Sequence, residues 1–250
     1  MRRMVATDMD GTFIGDDDTM HVLWDDLQAA DITLTFSTGR NIPAIETFYA
    51  DHDEDRRAIA CVCMVGTEVW FFDGGEYRLD PGWSDYISDA WDKDAVEDIL
   101  RELPGAHIQE AEWQSPFKAS YFLEDDADAG LARIQRRLDE LGLRAKVIYS
   151  AGKFLDLLPH RSGKGGAVRY LAEQLGMDQV VVAGDTGNDL DMMRADLGFS
   201  CIAVGNATEE LASVHEPQIY HADAPYAAGI REGLEHYGWL SPQDVGKDGR

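Results

Sequence analysis

Asp8 and Asp10 stand two residues apart in Asp8-Met9-Asp10-Gly11-Thr12, directly after the apolar run Met4-Val5-Ala6. Side chains at that spacing share one face while the chain stays extended. A turn at Gly11 lets both carboxylates converge at the carboxyl end of a strand, where open α/β sheets bind their ligands. An ordinary acidic turn has the same composition. The second segment is Phe36-Ser37-Thr38-Gly39-Arg40. Thr38 offers a hydroxyl and Gly39 nearby backbone N–H groups, both suited to a phosphate; the alternative is a hydroxyl cap for a helix near Asn41-Ile42-Pro43.

The third segment places Lys164 in Ser162-Gly163-Lys164-Gly165-Gly166, ahead of a helical pattern. Its glycines let backbone approach a ligand, although the spacing is not that of a P-loop. The fourth is Gly184-Asp185-Thr186-Gly187-Asn188-Asp189, after Val180-Val181-Val182-Ala183. Carboxylate and amide oxygens at a strand end suit a hard cation that keeps several waters, which describes Mg²⁺. A strand–turn–helix with Asp189 as N-cap is the alternative. Together the four segments ask for Mg²⁺-dependent phosphoryl transfer through an aspartyl nucleophile. Such a nucleophile splits one displacement into two easier ones. Metal, lysine and hydroxyl offset the charge of the transferring group.

The elements that must hold these residues are legible as a period. Apolar strand-like runs at 4–7, 32–36, 58–65, 180–183 and 200–204 alternate with helical patterns at Thr19–Ala30, Pro43–Tyr49, Gly165–Leu175 and Asp189–Ala195. That alternation predicts an α/β fold, a Rossmann-like doubly wound parallel-sheet core. Residues 80–160 read differently, with helices at Lys93–Leu103 and Ala127–Leu141 and strands at Phe117–Leu123, Lys146–Tyr149 and Phe154–Leu158. This is the pattern of an inserted, smaller α+β domain. The expected division is core at 1–80, insertion at 81–160 and core again at 161–250.

Bulk properties narrow the class. Apolar residues make up 44% of the 250-residue chain, without an 18-residue apolar stretch, so no membrane span is expected. The first apolar run ends at Asp8, too short for a signal peptide, which predicts a cytoplasmic protein. Cys61, Cys63 and Cys201 lie in strand-like apolar runs and read as buried thiols; they make a poor zinc site. The net charge of −25, with 6 Lys against 31 Asp, repels nucleic acid and anionic membranes. It also repels an anionic substrate unless a metal and a few cations reverse the local field. A host with high internal salt and an ordinary acidic bacterial enzyme both fit this surface.

On the four segments the chain resembles the haloacid dehalogenase superfamily of phosphatases. The resemblance implies that Asp8 is nucleophile and Mg²⁺ ligand, and that Asp10 is general acid/base and binds the metal through its carbonyl. Thr38, Gly39 and Lys164 would hold the phosphoryl oxygens. Asp185 would bind Mg²⁺, with Asn188 and Asp189 orienting it. Further segments, Val65-Gly66-Thr67-Glu68-Val69, Pro116-Phe117-Lys118-Ala119-Ser120-Tyr121 and Lys153-Phe154-Leu155-Asp156-Leu157-Leu158-Pro159-His160-Arg161, are similar to the sucrose-phosphate phosphatase family.

That similarity implies an insertion acting as a cap, with Arg40, Asn41, Gly66, Thr67, Glu68, Lys118, Lys153 and Asp156 touching the sugar. It implies a monomer that hydrolyses sucrose-6-phosphate, a small-molecule partner supplied by an upstream sucrose-phosphate synthase. Gly11 stands where many sucrose phosphatases carry Asn, as it does in the similar mannosylfructose-phosphate phosphatases. Another glycosyl-sugar phosphate is therefore the alternative substrate. A sugar phosphomutase shares the aspartyl-phosphate step. A silent sugar-phosphate binding module would lack a nucleophile or an acid, yet Asp8 and Asp10 are both present.

Overall fold

The computed structural model describes residues 1–53, 56–124, 127–150 and 152–242. In chain order the first elements are β1 (Arg3–Thr7), α1 (Asp17–Ala29), β2 (Ile32–Ser37), α2 (Ile42–His52), β3 (Ala60–Cys63), β4 (Glu68–Asp73), β5 (Glu76–Leu79) and α3 (Pro81–Ile87). There follow α4 (Lys93–Arg101), β6 (Ala106–Ile108), β7 (Ala119–Leu123), α5 (Ala127–Leu141), β8 (Ala145–Ser150), β9 (Phe154–Pro159) and α6 (Lys164–Leu175). The last are β10 (Gln179–Gly184), β11 (Ser200–Ala203), α7 (Glu209–Ala212), β12 (Ile219–His221) and α8 (Tyr226–His236). They form two compact units, one of Met1–Ser37 with the described residues from Leu171 on, the other of Thr38–Tyr170.

The first unit is a parallel sheet in the order β12-β11-β10-β1-β2. From β1 the chain moves outward to β2, and from β10 it moves the other way through β11 to β12. The carboxyl ends of β1 and β10 therefore flank the point where strand order reverses. Met4, Val5 and Ala6 have no exposure, as a strand covered on both faces requires. Asp16 caps α1 by accepting the Thr19 N–H at 2.8 Å. Met20, Leu23, Trp24 and Leu27 recur at helical spacing and are its buried face. That helix packs on α8, where Arg231 Nε donates to Asp26 at 2.7 Å. Two glycines let α8 approach the sheet, since a Cβ at Gly233 would lie 2.5 Å from Ile202 and one at Gly229 3.2 Å from Val204.

The second unit holds the antiparallel meander β3-β4-β5 and an antiparallel sheet in the order β6-β7-β9-β8. Val96 and Leu100 of α4 and Ile134 and Leu138 of α5 share one apolar core with Tyr121 of β7 and Leu157 of β9. Helices α4 and α5 and strands β7, β8 and β9 lie in the 80–160 stretch whose pattern reads as α+β.

Two expectations need correction. The strand expected over 58–65 ends at Cys63, because Met64, Val65 and Gly66 turn at φ of +51°, +60° and +83°. The helical pattern at Asp189–Ala195 folds instead as two 3-10 turns, Gly187–Asp191 and Ala195–Leu197. All three cysteines are buried, as expected. Among the described residues no helix is long and apolar enough to cross a membrane.

Candidate active site

In the first unit, Asp8 follows β1 and Asp185 follows β10, strands paired in parallel with Thr7 opposite Ala183. The Asp8 N–H donates to the Ala183 carbonyl at 2.9 Å, extending the ladder by one step. One carboxylate oxygen each from Asp8, Asp185 and Asp189 lie within 4.8 Å of one another, and all three residues are buried. Carboxylates crowded away from water repel one another and lose hydration. A small divalent cation with oxygen ligands relieves both costs, so this donor set fits Mg²⁺.

Asp189 has no exposure. Its Oδ2 accepts N–H groups of Asp185 and Thr186, both at 3.1 Å. Thr186 is thus the N-cap and Asp189 the third residue of the turn, reaching back in a capping box. The alternative reading of Asp189 as N-cap is replaced by this one. Gly184 is required beneath it, since a Cβ there would meet Asp189 Cβ at 2.3 Å. Asn188 is exposed and accepts the Thr186 hydroxyl at 3.0 Å.

Thr12, fully buried, donates its hydroxyl to Asp185 Oδ1 at 3.0 Å. Gly11 turns the chain at φ +82°, and a Cβ there would lie 2.3 Å from Asp185 Oδ2. The Asn206 side-chain amide donates to the Gly11 carbonyl at 2.7 Å and fixes this turn. Asp10 is exposed on the same turn, its carboxylate outside the buried trio.

In the second unit Thr38 is buried and its hydroxyl accepts the Arg40 N–H at 3.1 Å. The cap of α2 is Asn41, whose side chain accepts the Ala44 N–H at 3.0 Å, so Thr38 has no capping role. The turn after β3 holds this loop: Val65 N–H donates to the Thr38 carbonyl and Met64 N–H to that of Arg40, each at 3.1 Å. Positive φ at a β-branched residue costs about 1–3 kcal/mol, and the strain sits against the Thr38–Arg40 loop. Lys164 opens α6 and is 1% exposed. Gly66 packs on its backbone, since a Cβ would lie 2.4 Å from Lys164 N. The Gly66 carbonyl accepts the Gly163 N–H at 3.2 Å and Trp83 Nε1 at 3.3 Å.

Of the expected sugar contacts, Lys118, the residue before β7, and Asp156 of β9 come together. Lys118 Nζ lies 3.4 Å from Asp156 Oδ2 and is itself buried. The Ser120 hydroxyl donates to Asp156 Oδ1 at 2.6 Å. Glu68 accepts Trp70 Nε1 at 2.9 Å; burial pushes its carboxyl above the usual range despite the donors Trp70 and Ser115. Thr67 turns its hydroxyl to the Met64 carbonyl at 3.0 Å. Lys153 is exposed over the Phe154 ring, and Arg40 is half-buried. Sequence reasoning gave no role to Thr12, Ser120 or Asn206. Thr12 ends the Asp8–Thr12 segment, whereas nothing local marks Asn206, which lies 195 positions from Gly11.

The chain matches the family described as Sucrose-6F-phosphate phosphohydrolase over residues 1–238. It belongs to this family. Mannosylfructose-phosphate phosphatase of Agrobacterium fabrum is 32% identical over 252 residues, covering 96% of this chain and 98% of the relative. Sucrose-phosphatase 1 of Nicotiana tabacum is 29% identical over 269 residues, covering 98% of this chain; the chain spans only 62% of that relative's length. Among solved structures, the sucrose-phosphatase of Synechocystis sp. PCC6803 in complex with sucrose and phosphate aligns with a TM-score of 0.80 and 29% identity. That alignment covers 95% of this chain and 99% of the other.

Proposed function

We propose that this chain is a Mg²⁺-dependent phosphatase that hydrolyses sucrose-6-phosphate to sucrose and inorganic phosphate. The observation that carries the reading is the buried trio Asp8, Asp185 and Asp189 at the strand-order reversal of a chain in this family. Asp8, Asp185 and the Asp10 carbonyl would hold the ion, with Asp189 and Asn188 orienting Asp185. When bound, Mg²⁺ offsets phosphoryl charge.

The Asp8 carboxylate attacks phosphorus, the bond to the sugar oxygen breaks, and Asp10 protonates the departing alkoxide. Asp10 then takes a proton from water, whose oxygen attacks the aspartyl phosphate. Phosphate leaves and Asp8 is restored. Thr38, Gly39 and Lys164 bind the phosphoryl oxygens throughout. Residues 81–160 act as the sugar-recognising cap, with Lys118, Asp156, Lys153, Glu68, Arg40, Asn41, Gly66 and Thr67 toward the sugar. The similarity to the mannosylfructose-phosphate phosphatase supports a second substrate of the same class.

The test is phosphate release, with Mg²⁺ and with chelator, from sucrose-6-phosphate, mannosylfructose phosphate, glucose-6-phosphate and fructose-6-phosphate. A Mg²⁺-dependent preference of about a hundredfold, or ~2.7 kcal/mol, for sucrose-6-phosphate is expected. Preference for the mannosyl substrate would reassign the sugar and keep the mechanism. Hydrolysis of none would overturn the reading.

A further inference from the structure

In the proposed mechanism Asp10 handles a proton from an exposed turn, so something other than burial must hold it in place. The hydrogen bonds of the turn show what does. Gly11 N–H donates to the Ile14 carbonyl at 3.1 Å. A peptide group is planar, with its N–H and C=O pointing opposite ways, so this bond also fixes the plane that carries the Asp10 carbonyl. The next plane carries the Gly11 carbonyl, and it is held from far away in the chain, by the Asn206 side-chain amide at 2.7 Å. Within the turn that second plane has only a long bond, Thr12 N–H to the Met9 carbonyl at 3.4 Å. Between the two planes stands Gly11 at φ +82°, a residue with no side chain to hold its own conformation.

Asn206 is itself held from behind. Its Oδ1 accepts the N–H of Tyr226, the first residue of α8, at 2.9 Å. Tyr226 adopts φ +53°, a conformation that a bulky residue keeps only when its surroundings impose it. Its ring covers the far end of the same turn, where a Cβ at Gly15 would lie 2.3 Å from Tyr226 Cδ1. The backbone around Asn206 is fixed as well. Gly205 N–H donates to the Ala224 carbonyl at 2.8 Å and Thr208 N–H to the Asp185 carbonyl at 2.7 Å. One short loop after β11 thus touches the Asp10 turn, the Asp185 turn and the start of α8. The residue type follows from the partners: a carbonyl can only accept and an N–H can only donate, so the link needs a donor and an acceptor on one planar group, which an amide supplies.

We infer that Asn206 is a positioning residue for the reaction: its donation to the Gly11 carbonyl keeps the Asp10 carboxylate in register with Asp8. Asn206 acts through the turn and touches no reacting atom. The inference rests on the proposed phosphatase activity and on the acid/base role of Asp10.

The experiment compares full-length wild type, Asn206→Asp and Asn206→Ala. The aspartate has the same shape and keeps an acceptor for Tyr226 but offers Gly11 no donor; the alanine removes both. On sucrose-6-phosphate at saturating Mg²⁺, kcat per folded molecule is expected to fall about 10- to 100-fold in both variants, because a misplacement of about 1 Å costs on the order of 10² in rate. KM should stay within about twofold, since none of the groups proposed to bind phosphate or sugar is changed. In an Asp10→Asn background the same substitutions should cost no further turnover, as expected of residues that act as one unit. Hydrogen exchange on the metal-free protein gives a readout apart from activity. The Gly11 amide should exchange faster in both variants, and the Tyr226 amide faster in Asn206→Ala alone. Asn206→Asp keeps the contact to α8 and carries the test should Asn206→Ala fail to fold. Wild-type kcat in Asn206→Asp, a loss that lies in KM, or unchanged exchange at Gly11 overturns the inference while the phosphatase reading stands. So does an undiminished further loss in the Asp10→Asn background. A wild type that hydrolyses no sugar phosphate overturns the phosphatase reading, and the inference falls with it.

Discussion

Thr12 is the hinge between the two halves of the proposed metal site. It follows the Asp8–Asp10 segment but donates its hydroxyl to Asp185, 173 positions away, at 3.0 Å. Both partners are buried, Thr12 fully and Asp185 to 8% exposure. A hydrogen bond to a charged group contributes about 1.5–3 kcal/mol, which is roughly 10- to 150-fold in an equilibrium constant. Thr12→Val has nearly the same shape, so it removes the donor without opening a cavity. The Asp185 carboxylate loses one of the hydrogen bonds that orient it, and groups that orient metal ligands are worth about 10- to 100-fold in metal affinity.

Mg²⁺ titrations of phosphate release should therefore show half-saturation raised about 10- to 100-fold in Thr12→Val, with most of kcat recovered at saturating Mg²⁺. Calorimetric Mg²⁺ titration in the absence of substrate should show the same shift, and the Mg²⁺-induced rise in melting temperature should shrink with it. Thr12→Ser keeps the hydroxyl and should behave like wild type. A Thr12→Val protein with wild-type Mg²⁺ affinity would refute the orienting role. So would a Thr12→Ser protein as impaired as Thr12→Val, because shape and not the hydrogen bond would then be the cause.

Asp10→Asn should lose about 10²- to 10⁴-fold in turnover, the range of general acid–base catalysis, while its melting curve stays near wild type because Asp10 is exposed. Substantial residual turnover would remove Asp10 from the acid/base role. Gly66→Ala places a Cβ 2.1 Å from the Gly163 carbonyl carbon at φ +83°, so melting temperature and phosphate binding should fall together; a stable variant with wild-type affinity would argue against Gly66 as the support of Lys164. The raised carboxyl of Glu68 means that the folded state holds this proton more tightly than the unfolded chain does. Its stabilising contribution is present below the ordinary glutamate value and is lost as pH rises through the folded value. Wild type should therefore lose stability relative to Glu68→Gln with rising pH in denaturant melts, and a difference that does not change with pH would contradict the burial argument.

The acids were legible because their signals are local. Asp8 follows three apolar residues, Asp185 follows four, and a buried parallel strand leaves few other readings of such runs. Their meeting was legible only as topology, and the pairing of Thr7 with Ala183 supplies it. α8 went unread because Gly229 and Gly233 lower helix propensity, yet both are needed where the helix touches Val204 and Ile202. β3 was read too long because Met64 and Val65 look like strand residues, and only the hydrogen bonds from their N–H groups to Arg40 and Thr38 explain the turn. Asn206 was invisible for the same reason, since its partner is a backbone carbonyl far away in the chain.

A chain of net charge −25 must reverse its own field wherever it admits a phosphate ester. Among the described residues two lysines, Lys118 and Lys164, are buried, although lysine is almost never fully buried unless paired. Lys118 faces Asp156, so its charge is already offset in place, and a sugar hydroxyl can take the pair without importing net charge. Lys164 sits where α6 begins, and the N-terminus of a helix adds partial positive charge from its unsatisfied N–H groups. In the proposed mechanism the two lysines serve different ends of one substrate, Lys118 the sugar and Lys164 the phosphoryl group. The same division makes the sugar separable from the chemistry: variants at Lys118 or Asp156 should change which phosphate ester is taken, and variants at Asp8, Asp10 or Thr12 should change how fast any of them is cleaved.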